Sequence, residues 1–380
     1  MHILIAPNAF KNSLNAADAA DAIRDGLMMS NLPCSCECFP IGDGGDGTGD
    51  LIIKRCMGRV VNSAVHDPLG KTINAFFGLI EEGKTAIIEM ANASGLRLLQ
   101  PQELNPLHAL SVGTGEQIIQ AMDQGARKII IAMGGSATVD GGTGILKALG
   151  FRFLNSVGEE LLSMPGSLTE LHSVDSSTVD TRIFNCELIV LCDVDNLLLG
   201  EQGSAAIFGP QKGASKDAVL QLDAALARLA AVVFQQTGKD VTSIKYGGTA
   251  GGAAAGLYAF INATLVNGID YFLELTDFDN SLSKSNLVVT GEGSIDEQTL
   301  QGKGPFGVAS KAKSKGLPVI AFAGKVPLIK LPSLQAFFDV LLSIGNEPTT
   351  LDSAMKSTTD NLIRTASEIA NVLALNIDKP

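Results

Sequence analysis

The sequence predicts a two-domain α/β fold: a Rossmann-like parallel-sheet domain formed by both termini, with a second α/β domain inserted. Three observations predict it. Short apolar runs alternate with helical patterns at both ends of the chain, as in a parallel sheet. Near residue 66 the pattern changes to paired apolar runs. The length, 380 residues, exceeds what one hydrophobic core usually serves. The expected division is 1–65 with 286–380 for the terminal domain, and 66–285 for the insert.

Residues 2–7 read as a strand, 15–29 as a helix, 36–41 as a second strand and 48–57 as a second helix. The runs 73–80 and 84–90 flank Glu81-Glu82-Gly83, a hairpin signal. Strands follow at 128–133 and 188–192. In the helix expected over 216–236, Leu222, Leu226, Leu229 and Val233 keep helical spacing and Gly238 sits at the end. Alternation returns with a strand at 287–290, a helix opened by Pro305 and closed by Gly316, strands at 318–323 and 338–343, and a last helix over 351–374.

Composition narrows the function. The net charge of −12 argues against nucleic acid, whose phosphates need a basic footprint. Any anionic substrate must then be held by local cations, backbone N–H groups or a metal. Cys34, Cys36 and Cys38 alternate on one strand face; CxC spacing suits zinc poorly, so they read as buried thiols in a reducing compartment. The N-terminal apolar run is too short for a signal peptide. Residues 246–269 carry no charge, but their glycines and polar residues favour a buried, glycine-capped helix over a membrane span. A cytoplasmic protein without membrane attachment is expected, and a homo-oligomer is compatible with the sequence.

Glycine, at 41 residues, is above its roughly 7% average, and it gathers in loops. Gly42-Asp43-Gly44-Gly45-Asp46-Gly47 formally matches GxGxxG after a strand and before a helix, which invites a dinucleotide reading and an NAD-dependent oxidoreductase. Asp43 and Asp46 would repel a bare pyrophosphate, so the loop suits a Mg2+–phosphate or a polyol better. Strand 128–133 runs through Gly134-Gly135-Ser136-Ala137-Thr138-Val139-Asp140-Gly141-Gly142 into a helix. Strand 287–290 runs into Gly291-Glu292-Gly293-Ser294-Ile295-Asp296, followed by Gly302-Lys303-Gly304. Such strand-terminal loops are where ligands sit in open parallel sheets. Strand 188–192 ends in Asp193, a carboxylate suited to taking a hydroxyl proton or holding Mg2+. Lys11 and Lys212 are compact charges suited to phosphate or carboxylate. No Walker A, kinase HRD or DFG, or GxSxG motif occurs. Each loop alone also reads as a solvated glycine turn.

Together these segments resemble the type 1 glycerate kinase family across nearly the whole chain. Ala6-Pro7-Asn8-Ala9-Phe10-Lys11-Asn12-Ser13-Leu14 resembles its APDSFKxSL, Asp43-Gly44-Gly45-Asp46-Gly47-Thr48 its DGGEGT, and residues 134–142 its GGSATNDGG. Cys192-Asp193-Val194, Phe208-Gly209-Pro210-Gln211-Lys212-Gly213 and the loop 291–296 resemble CDV, FGPQKG and GEGRID. Asn8, Ala9, Asp46 and Val139 depart from the pattern, and Asp195-Asn196-Leu197 lacks its proline.

The resemblance implies ATP-dependent, Mg2+-dependent phosphorylation of glycerate, with 2-phosphoglycerate the usual bacterial product and 3-phosphoglycerate the alternative. It implies Asp193 as the base orienting the hydroxyl, with Lys11 and Lys212 neutralising the glycerate carboxylate or the γ-phosphate. Asp43, Asp193 and Asp296 become candidate metal ligands. Ser13, Asp43, Gly44, Gly45, Ser136, Ala137, Asp140, Gly291, Glu292 and Gly293 become candidate substrate or phosphate contacts. A non-catalytic sugar-acid sensor on the same fold is the remaining rival.

Overall fold

The computed structural model describes residues 1–375. Its strands, in chain order, are β1 (His2–Ile5), β2 (Ser35–Cys38), β3 (Arg59–His66), β4 (Thr72–Ile80), β5 (Thr85–Glu89), β6 (Lys128–Ala132), β7 (Arg152–Leu154), β8 (Ser173–Asp175), β9 (Glu187–Cys192), β10 (Thr264–Asn267), β11 (Leu287–Ser294), β12 (Val319–Lys325) and β13 (Val340–Ser343). The chain forms two compact units, Met1–Asp43 with Ile269–Pro380, and Gly44–Gly268.

The unit holding both termini is built on a five-stranded, wholly parallel sheet in the order β13-β12-β11-β1-β2. The helix Ala16–Met28 starts where Asn15 accepts the N–H of Asp18 at 2.9 Å. Its apolar face (Ala19, Ala20, Ile23, Leu27) joins Ile3, Ile5, Leu287, Val289 and Phe322 in one core, which Leu362 and Ala366 of the helix Thr358–Ala374 complete. Cys34, Cys36 and Cys38 are half-buried against this core as free thiols, and burial pushes the Cys36 thiol up to about 12.

The other unit holds a six-stranded sheet in the order β10-β9-β6-β5-β4-β3. β5, β6, β9 and β10 run parallel, while β3, β4 and β5 form an antiparallel meander. The second turn of that meander is Glu81–Gly83. The helix Lys216–Thr237 packs Leu222, Leu226, Leu229 and Val233 into a core with Phe77, Ile88, Ile118 and Ile131. Ser215 caps its start and Gly238, at φ 71°, its end. The uncharged segment forms the buried helix Thr249–Ile261, closed by left-handed Asn262 rather than glycine. Among the described residues no helix is long and apolar enough to cross a membrane.

The divisions between units fall at 43/44 and 268/269, not at 65/66 and 285/286. β3 is the reason at the first: it pairs along its whole length with β4. The helix Thr48–Arg55 follows it, because Gly47 and Gly49 donate to Glu89 at the end of β5. At the second, Phe278 packs edge-on against Phe39, ring centroids 5.0 Å apart, so 269–285 joins the terminal unit.

Candidate active site

In the unit Gly44–Gly268, three adjacent parallel strands, β5, β6 and β9, end in functional segments. They deliver Glu89, the loop 134–142 and Asp193, at the strand ends where open α/β sheets bind ligands. The loop opened by Gly44 lies against them. Gly134 donates to Gly44 O at 2.9 Å, and a Cβ on Gly134 would sit 2.3 Å from Gly45 Cα, so this approach of the two backbones requires glycine at 134.

Two carboxylates take backbone donors in and beside the loops expected to face phosphate. Glu89 is 3% exposed and accepts Gly47 N at 2.8 Å and Gly49 N at 2.9 Å. Burial, then its hydrogen bond with Asp46, raises its pKa above the ordinary carboxylate range. Asp140 is fully buried and accepts Ser111 N, Ser111 Oγ, Gly142 N and Gly144 N at 2.7–3.0 Å. Gly44 N meets Thr48 Oγ1 at 3.1 Å and Ala137 N meets Ser94 O at 2.9 Å. The backbone donors expected at Gly44 and Ala137 are thus taken by protein acceptors, and the Asp140 carboxylate is itself an acceptor for the loop. Glu89 also disposes of the dinucleotide reading: a pyrophosphate needs the helix start that this carboxyl already fills.

Lys212 is 3% exposed, and its ammonium donates to Ser136 Oγ at 2.9 Å and Thr138 O at 2.7 Å. Burial pushes its pKa down to about 7, against the opposing charges of Asp140 and Asp193. Asp193 is half-buried just beyond β9. Val139, where the family pattern has Asn, is wholly buried in the core.

Arg97, Asn92 and Glu89 were not singled out from the sequence. Arg97 donates to Asp46 Oδ1 at 3.1 Å and to Asn92 Oδ1, and Leu96 N donates to Gly135 O at 2.9 Å. No sequence spacing marks Glu89 or Arg97, because Gly47 and Gly49 lie about forty residues from the first and Asp46 about fifty from the second.

The terminal unit brings together a second group where β1 and β11 end side by side. Asn8 N donates to Gly291 O at 2.8 Å, and Asn8 Nδ2 donates to Asp43 Oδ2 at 2.8 Å. An aspartate at position 8 would repel Asp43; the amide binds it. Gly304 N reaches the same oxygen at 3.4 Å. Glu292 is 8% exposed and accepts Thr299 Oγ1 at 3.0 Å. Burial drives its pKa up to about 7; Lys303 opposes, while Asp43 and Asp296 reinforce. Asp296 accepts Gln298 N at 2.9 Å, capping the turn Glu297–Gln301. Lys11 is exposed. Ser13 Oγ lies 2.5 Å from Met355 O and 2.7 Å from Thr358 Oγ1, tied to the C-terminal helices. Among the described residues no group of three or more His, Cys, Asp or Glu side chains is arranged to hold a metal ion.

The comparisons with known proteins agree along the whole chain. The model of the Glycerate kinase family matches residues 3–374. The glycerate kinase of Bacillus subtilis (strain 168) is 42% identical over 375 residues, 99% of this chain and 98% of that protein. The glycerate 2-kinase of Escherichia coli (strain K12) is 41% identical over 381 residues, 99% of each chain. The crystal structure of a putative glycerate kinase 2 from Salmonella typhimurium LT2 superposes with a TM-score of 0.81 at 40% identity, covering 98% of both chains. None of these proteins is an oxidoreductase by name. With the strand-end architecture and the ordered motifs, these matches show that the chain is a kinase-type phosphotransferase and belongs to the glycerate kinase family.

Proposed function

We propose that this enzyme transfers the γ-phosphoryl group of ATP to D-glycerate in the presence of Mg2+, giving 2-phosphoglycerate. The observation that carries the reading is the buried Lys212 ammonium within reach of the Asp193 charge, in a chain matched end to end by proteins named glycerate kinase. The 2-phosphoglycerate product rests on the relative named glycerate 2-kinase.

Phosphoryl transfer needs positioning and charge neutralisation more than covalent chemistry. Asp193 orients the attacking hydroxyl and accepts its proton. Lys212, poised near pH 7, gains a proton as an anion approaches, because an opposite charge favours the charged form. Lys11, exposed on its loop, neutralises a second anionic group. Ser136 and the Gly291–Gly293 backbone supply polar contacts. Gly44, Gly45, Ala137 and Asp140 shape the loops instead of contacting phosphate, and Ser13 holds the Lys11 loop to the C-terminal helices.

Mg2+ fits the donor set of the terminal unit. Asp43 and Asp296 are hard oxygen donors, each within electrostatic range of Glu292. Mg2+ bound with nucleotide phosphates takes only one or two carboxylates. When bound, it supplies neutralisation of the phosphate charge. Asp193 is a further candidate ligand.

The test couples ATP, Mg2+ and D-glycerate to enolase. Phosphoenolpyruvate formed without a mutase supports 2-phosphoglycerate. Formation only after phosphoglycerate mutase is added favours the 3-phosphate. No glycerate-dependent ADP would overturn the reading.

A further inference from the structure

The helix Thr249–Ile261 does not begin as a helix. Ala250 (φ 52°, ψ 47°), Gly251 (φ 71°, ψ 28°) and Gly252 (φ 82°, ψ 4°) form a left-handed turn. A buried alanine in that region is sterically costly, and such backbone persists only where its surroundings demand it.

The surroundings are two segments of the candidate active site. On one side, a Cβ on Gly251 would lie 2.0 Å from Thr138 O, the carbonyl that accepts Lys212 Nζ at 2.7 Å. Gly251 O in turn accepts Gly141 N at 2.9 Å. On the other side, Gly248 N donates to Asn196 O at 2.9 Å and Thr249 Oγ1 to Val194 O at 3.3 Å, which ties the turn to the segment just after Asp193. One short turn therefore touches the carbonyl that holds Lys212 and the backbone that carries Asp193.

We propose that the left-handed turn Thr249–Gly252 sets the position of Lys212 relative to Asp193, making Gly251 and Thr249 positioning residues for phosphoryl transfer. This rests on the glycerate kinase reading above. A side chain at 251 displaces the Thr138 carbonyl, and Lys212 follows it. Removing the Thr249 hydroxyl releases the Asp193 segment while the shape of the site is kept. Neither residue need touch substrate.

The experiment uses a matched control. Gly238 has the same φ of 71° at the end of the helix Lys216–Thr237, with open space where a Cβ would go. Gly238→Ala therefore imposes the same backbone penalty without the clash. Wild type, Gly251→Ala, Gly238→Ala and Thr249→Val are assayed for kcat and KM with D-glycerate and ATP, below the melting temperature of each.

The expected result for Gly251→Ala is a kcat loss of roughly 10- to 100-fold, the scale of an ångström misplacement, with KM values near wild type. Thr249→Val loses kcat severalfold, and Gly238→Ala stays within about twofold of wild type. Equal kinetics for Gly251→Ala and Gly238→Ala would overturn the proposal. If Gly251→Ala does not fold, Thr249→Val decides: wild-type kcat overturns, a selective kcat loss supports. Absence of glycerate turnover by the wild type is a separate outcome that removes the functional reading itself.

Discussion

Asp193, the proposed base, is half-buried beside the last residue of β9. Asp193→Asn keeps the shape and removes the proton acceptor, so kcat should fall roughly 100-fold or more while the melting temperature changes little. Steady-state assays with a thermal melt check both. Glu292, by contrast, is shut in, and its folded pKa of about 7 stands above the ordinary 4.5. The folded protein therefore binds the proton more tightly than the unfolded chain does. That contribution to stability is fully present below pH 4.5 and is lost as pH rises to about 7. Glu292→Gln keeps an acceptor for Thr299 and has no proton to lose. Urea midpoints measured from pH 4.5 to 7.5 should fall more steeply for wild type than for the variant; parallel curves would refute the assignment.

At the scale of elements, the long helix Lys216–Thr237 supports the candidate site from behind. A Cβ on Gly141 would lie 2.4 Å from Leu229 Cδ2 and 3.2 Å from Leu226 Cδ2, so the helix's apolar face is the floor under the loop 134–142. Leu226 is fully buried. Leu226→Ala should cost about 2–5 kcal/mol in urea unfolding, the range for a leucine truncated in a close-packed core. This helix was legible in the sequence to within a residue or two, because its apolar spacing and Gly238 are local signals. β3 was not: its alternation is weak, and its reason to exist is β4, reached across the turn after His66.

For the whole molecule, the acidic balance and the donor set make a joint prediction. With a net charge of −12 and anionic substrates, neutralisation must be local or arrive with the nucleotide. EDTA should abolish turnover and excess Mg2+ restore it. The melting temperature without substrates should stay unchanged, since the ion is proposed to enter with ATP. A large loss of stability in EDTA would point instead to a structural metal.

The sequence by itself determined the α/β class, the pairing of the two chain ends in one unit, the order of the motifs and the placement of Asp193 just past a strand end. Those are properties of neighbours along the chain: periodicity, caps, glycine loops and ordered motifs. Only the tertiary structure decided what the glycine loops do with their donors. Glu89 lies about forty residues from the N–H groups it accepts, Ser111 about thirty from Asp140, and Gly251 more than a hundred from the Thr138 carbonyl it packs against. Each contact follows from which strands are adjacent in the sheet, a choice made by the burial of both faces and invisible to spacing. Loops that read as phosphate cradles give several of their backbone donors to the protein's own carboxylates, and the charge proposed to act on substrate lies in Lys212, Asp193 and the carboxylates around Glu292.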